Sequence, residues 1–163
     1  LQSCRACAVL VASVTACASL FVFATAFTSL AAGSAVDDDP QALLDAADAA
    51  RSSGRPDAAV ICLRRVLRDH SESPLAPLAA FTLGRVLLEK LAQPLPAADA
   101  FAMARALAPE GSLAQDALAR EVEAWSKAGR PQEAYKRACL YVVTYPRGRR
   151  LHEVQMYGGL RAE

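Results

Sequence analysis

The chain has 163 residues, 53% of them hydrophobic and 21% charged, with a formal net charge of +1. That length holds one domain of ordinary size, and the near-balanced charge gives no electrostatic footprint for nucleic acid or for a strongly acidic partner. Aromatic residues are only 6% and alanine is abundant, which favours close-packed helices over sheet, because alanine has the best helix propensity and lets backbones approach.

From Ala6 to Val36 there is no charged residue, a run of about 30 that exceeds the roughly 20 needed for a helix to cross a bilayer. Arg5 precedes the run and Asp37, Asp38 and Asp39 follow it, so the positive-inside preference puts the N-terminus in the cytoplasm and the rest outside. Residues 1–36 are therefore expected to be a single-pass anchor or a signal segment, followed by an acidic linker at 37–39. Two alternatives stay open. Gly33 and Ala35 make a usable cleavage site before Val36, and Val14-Thr15-Ala16-Cys17 resembles a lipobox in which Cys17 is acylated.

Asp39 and Pro40 suit the cap and first position of a helix. Beyond them, apolar-periodic runs alternate with breakers and no segment keeps the period of a strand. The pattern predicts helices at about 40–53, 56–70, 75–91, 96–108, 112–128 and 131–145, with a short one near 150–157. Gly54 and Gly129 read as left-handed caps, Pro56 and Pro131 as helix starts. Ser73-Pro74 and Ser112 start two more, and Ser112 with Gln115 has the spacing of a capping box. Connections this short make successive helices antiparallel neighbours.

Five cysteines, Cys4, Cys7, Cys17, Cys62 and Cys139, show no disulfide-framework spacing. Cys4 and Cys7 form a C-x-x-C without the two further ligands that zinc needs. Cys62 and Cys139 read as small apolar residues in helices. His70 and His152 match no nucleophile, and there is no phosphate loop or metal-protease motif. No enzyme activity, cofactor or metal is expected.

Self-comparison shows an internal repeat. Gly54-Arg55-Pro56-Asp57-Ala58-Ala59 returns as Gly129-Arg130-Pro131-Gln132-Glu133-Ala134, and Leu83, Gly84, Ala97, Phe101, Ala104 and Pro109 form an intermediate copy. Ala59, Ala97 and Ala134 are then about 37 residues apart, near the period of 34 known for one helical repeat. On these residues the sequence resembles the tetratricopeptide family. The third copy fits through Leu118, Trp125, Gly129, Ala134, Ala138 and Pro146, and the first through Leu43, Ala47, Gly54, Ala59 and Leu63. The turn of the second copy, Gln93-Pro94-Leu95-Pro96, is about one residue longer and lacks glycine. Ala79 to Leu87 with Ala97 to Phe101 is also similar to repeats of bacterial FecR-domain membrane proteins and of BamD-type outer-membrane lipoproteins.

The resemblance implies an all-α solenoid over 40–160, with repeats at about 40–73, 77–110 and 115–147 and a capping helix at 149–158. It implies a scaffold of the bacterial envelope, facing the periplasm, whose first helices line a concave groove for a protein or peptide partner. The groove residues by register include Gln41 and Leu78, and above all Leu44, Asp48, Arg51, Phe81, Arg85, Leu88, Asp116, Arg120, Glu123 and Lys127. Leu44 and Asp48 stand where a carboxylate clamp needs other residues, so chaperone tails are not expected ligands. Asp48, Arg85 and Glu123 fall at equivalent positions with alternating sign, a ladder for a charged partner or a set of solvated charges. Trp125 and Phe101 fall on packing positions. Arg147-Gly148-Arg149-Arg150 reads as a basic cap on the preceding helix rather than a nucleic-acid site. A second reading makes the repeats structural, packing on themselves or on another domain of a longer polypeptide.

Overall fold

A computed structural model describes residues 39–160. The expected anchor at 6–36, its orientation, the lipobox and the C-x-x-C lie outside these residues. Among the described residues there are seven helices and no strand: α1 (Pro40–Ser52), α2 (Pro56–Asp69), α3 (Ala76–Glu89), α4 (Pro94–Leu107), α5 (Ala114–Lys127), α6 (Pro131–Thr144) and α7 (Leu151–Gly158). None is long and apolar enough to cross a membrane.

The helices begin and end for reasons visible in the chain. Asp39 caps α1 by accepting a hydrogen bond from the Ala42 amide at 3.2 Å, and Pro40, Pro56, Pro94 and Pro131 occupy first positions, where a missing N–H costs nothing. After α1 and α5, Gly54 and Gly129 each turn to φ +69°. The following amide then closes the helix end, Arg55 donating to the Ala50 carbonyl at 2.9 Å and Arg130 to that of Trp125 at 3.0 Å.

The α3–α4 connection carries one residue more than these two, as expected, yet follows the same plan. Gln93 donates back to the Leu87 carbonyl at 2.8 Å, and Ala92, at φ +50°, occupies the place that Gly54 and Gly129 hold two residues before the proline. Helix α4 begins at Pro94, two residues earlier than the pattern predicts, because Pro94 itself is the N1 residue and Pro96 lies within the first turn. The starts at Pro56, Pro94 and Pro131 are 38 and 37 residues apart.

The connections between helix pairs also recur. Ala76 donates to the Ser73 carbonyl at 2.9 Å, Ala114 to that of Gly111 at 3.0 Å and Leu151 to that of Gly148 at 3.1 Å. The capping box predicted at Ser112 is not formed. Helix α5 begins at Ala114 without a side-chain cap, and Gln115 donates instead to the Tyr141 hydroxyl at 2.9 Å. A buried phenol needs a partner more than an exposed helix end does.

Each helix packs on its neighbours in sequence, and α5 also packs on α7. The architecture is that of an α-solenoid. One core cluster joins α1 to α4 and reaches Ala124, a second joins α5, α6 and α7, and half-buried Trp125 packs against both. Small residues set the closest approaches. Phe101 is fully buried with its ring lying over Gly84, where an added Cβ would stand 2.7 Å from ring atoms. Ala80, Ala104 and Ala117 meet where α3, α4 and α5 converge. At the C-terminal end Gly158 of α7 rests on Ala138 of α6.

Candidate partner-binding cleft

The first helices of the pairs, α1, α3 and α5, carry most of the charges that form the candidate site. Between α1 and α3 lies an open cleft of about 170 Å³ lined by Asp48, Arg51, Thr82, Arg85, Val86, Glu89 and Lys90. Helical spacing puts these residues together: Asp48 and Arg51 are one turn apart on α1, and Thr82, Arg85 and Glu89 recur on one face of α3. Three of the residues chosen from the sequence, Asp48, Arg51 and Arg85, line this cleft. Thr82, Val86, Glu89 and Lys90 were missed, although the four-residue spacing of Arg85 and Glu89 was the signal that places both on one face.

The alternating ladder of Asp48, Arg85 and Glu123 does not form by direct contact. Asp48 accepts from Arg51 at 3.0 Å, and Arg85 reaches Glu89 at 3.6 Å. The crossing between helices is made by Glu89 and Arg120, 3.2 Å apart. Arg120 then donates to Glu123 at 2.8 Å, and Lys127 to Glu123 at 2.7 Å. A continuous seam of opposite charges therefore runs from Arg85 on α3 to Lys127 on α5. Burial pushes the Glu123 carboxyl up, but the hydrogen bonds from Lys127 and Arg120 outweigh it and hold the group below its ordinary range. The same bond raises Lys127.

Four of the chosen residues play other parts. Leu44 and Leu88 are buried in the first core cluster and present little to a ligand; a solenoid this short needs their area for its own core. Phe81 is half-buried and meets Phe101 edge-on, with ring centroids 5.6 Å apart, so it packs rather than projects. Asp116 is buried and clasped by Arg149 and Arg150. These two arginines therefore tie the start of α7 to α5 and do not serve as the cap on α6 expected from their position. Gln41 donates to Asp45 at 2.9 Å, and Leu78 stays exposed.

One buried charge had no signal in the sequence. Glu121 of α5 is fully buried between Arg105 of α4, at 3.3 Å, and Arg137 of α6, at 2.8 Å. Its neighbours in sequence are ordinary for an exposed helix, and only packing turns it inward. Compared with known proteins, the sequence matches no family model and no curated protein. Cys62 and Cys139 are half-buried free thiols, and among the described residues no group of three or more metal-ligating side chains comes together.

Proposed function

We propose that the chain is a tetratricopeptide-like scaffold of the bacterial envelope, held at the membrane through residues 6–36 and binding a protein or peptide partner on the side of α1, α3 and α5. The observation that carries this reading is the recurrence of one helix-turn-helix plan. A left-handed residue at position 54, 92 or 129 is followed two residues later by the proline that opens the next helix. The cleft lined by Asp48, Arg51, Arg85 and Lys90 supports a partner with charged groups, because its cations and carboxylates stand in partly exposed positions where an incoming charge competes with weak intramolecular pairs. No reaction is assigned to the cleft: the scaffold acts by holding a partner in place.

The test is site-specific photocrosslinking of the full chain in a bacterial host, with the reactive residue at Arg85 and, as a reference, at Asp57. A crosslinked partner at position 85 that is absent at 57 supports the reading, and its yield should fall with salt as screening grows. Equal crosslinking at both positions, or crosslinks only between copies of the chain, rejects a dedicated cleft. Membrane fractionation of the same cells tests the anchor independently: alkali-resistant association with full-length mass is expected, and a soluble species beginning near Val36 rules it out.

A further inference from the structure

The opposite side of the helix pairs carries an unusual surface. Helix α4, with sequence PLPAADAFAMARAL, has only two charged residues, Asp99 and Arg105. Arg105 is turned towards Glu121, which leaves Asp99 as the one charge on an outer face otherwise made of Leu95, Pro96, Met103, Ala106 and Leu107, all exposed. A helix apolar on nearly every side is ordinarily covered on every side. Leu95 and Met103 are 43% and 46% exposed, so among the described residues nothing covers this face.

Beside this face runs a groove of about 390 Å³ between α2 and α4, closed below by Leu83 and Leu87 of α3. Its two walls differ. The α4 wall is Pro96, Ala100 and Met103 with Asp99, and the α2 wall is Leu67 with Arg64 and Arg68. Arg64 makes no hydrogen bond or ion pair among the described residues, and Arg68 pairs only with its sequence neighbour Asp69. Because successive helices are antiparallel, α2 and α4 run the same way and wall the groove on two sides, an arrangement that can seat one helix.

We propose that this outer groove is a second docking surface, for an amphipathic helix of a partner protein with an apolar stripe on one face and carboxylates along one flank. The stripe would lie on Leu67, Pro96 and Met103, the lining residues that keep exposed surface, and the acidic flank would face Arg64 and Arg68. Asp99 on the opposite wall disfavours the reversed orientation by like-charge repulsion. This surface lies on α2 and α4, apart from the cleft between α1 and α3, and does not depend on the reading of that cleft.

The experiment is fluorescence anisotropy with the full chain in phosphatidylcholine nanodiscs. The probe is a labelled peptide of about 18 residues, with leucines at helical spacing flanked by glutamates, and its twin carries lysines in place of the glutamates. The acidic peptide is expected to bind about tenfold more tightly than its twin. Binding should weaken by about tenfold in Arg64→Glu/Arg68→Glu and in Met103→Asp, and should be unchanged in Arg85→Glu. Circular dichroism melts of these surface variants should match the parent. Equal binding of the two peptides, no binding, or loss in Arg85→Glu would overturn the proposal. So would binding of the full chain to phosphatidylserine vesicles that disappears in the same groove variants, which would assign the surface to lipid.

Discussion

At the scale of single residues, the fold rests on a few positions where size or backbone conformation admits one solution. An added methyl at Gly84 meets the Phe101 ring at 2.7 Å, and that ring is locked in the core. Gly84→Ala is therefore expected to destabilise by about 1–3 kcal/mol in urea unfolding. Ala92 is the reverse case. It holds φ +50° where its counterparts are glycine, a conformation that costs an L-residue about 1–2 kcal/mol. Ala92→Gly should raise stability by about 0.5–1 kcal/mol after the extra entropy of the unfolded chain is subtracted, whereas Gly54→Ala should lower it. The two glycines were legible in the sequence because glycine before a proline-led helix has one ordinary meaning. Ala92 was not, since nothing about alanine announces a positive φ.

At the scale of elements, charges join the helices. Glu121 links α4, α5 and α6 through Arg105 and Arg137, and Glu121→Gln should cost about 1–3 kcal/mol by thermal unfolding, because it leaves two arginines opposite a neutral group. Glu123 gives a pH dependence of known sign. Its carboxyl is held below the ordinary 4.5 in the folded chain, so its contribution is fully present above that value and is lost as pH falls through the lowered one. The melting temperature of the parent should fall more steeply below about pH 4.5 than that of Glu123→Gln. The sequence showed that Asp116, Arg120, Glu123 and Lys127 lie on one helix, but spacing along α5 does not say which of them meets α3, α6 or α7.

At the scale of the described helices, each packs on its neighbours in sequence and α7 packs on both helices of the last pair. Leu118, Ala138, Tyr141 and Val154 share one cluster, and Arg149 and Arg150 fasten α7 to Asp116. Ending the chain after Arg147 should lower the melting temperature by more than about 5 °C and make it depend on protein concentration, as an uncapped stack buries its open face against another copy.

Within residues 39–160 the sequence by itself determined the number of helices, their order and their antiparallel succession, because proline, glycine and apolar periodicity act through local backbone geometry and need no distant partner. Tertiary structure alone decided that Leu44 and Leu88 are core, that Asp116 is a clasp for the end helix, that Glu121 is buried, and that Glu89 rather than Asp48 carries the charge seam across helices. Those outcomes depend on the angles at which helices pack and on which side chains compete for the same space. Residues far apart in the chain set both.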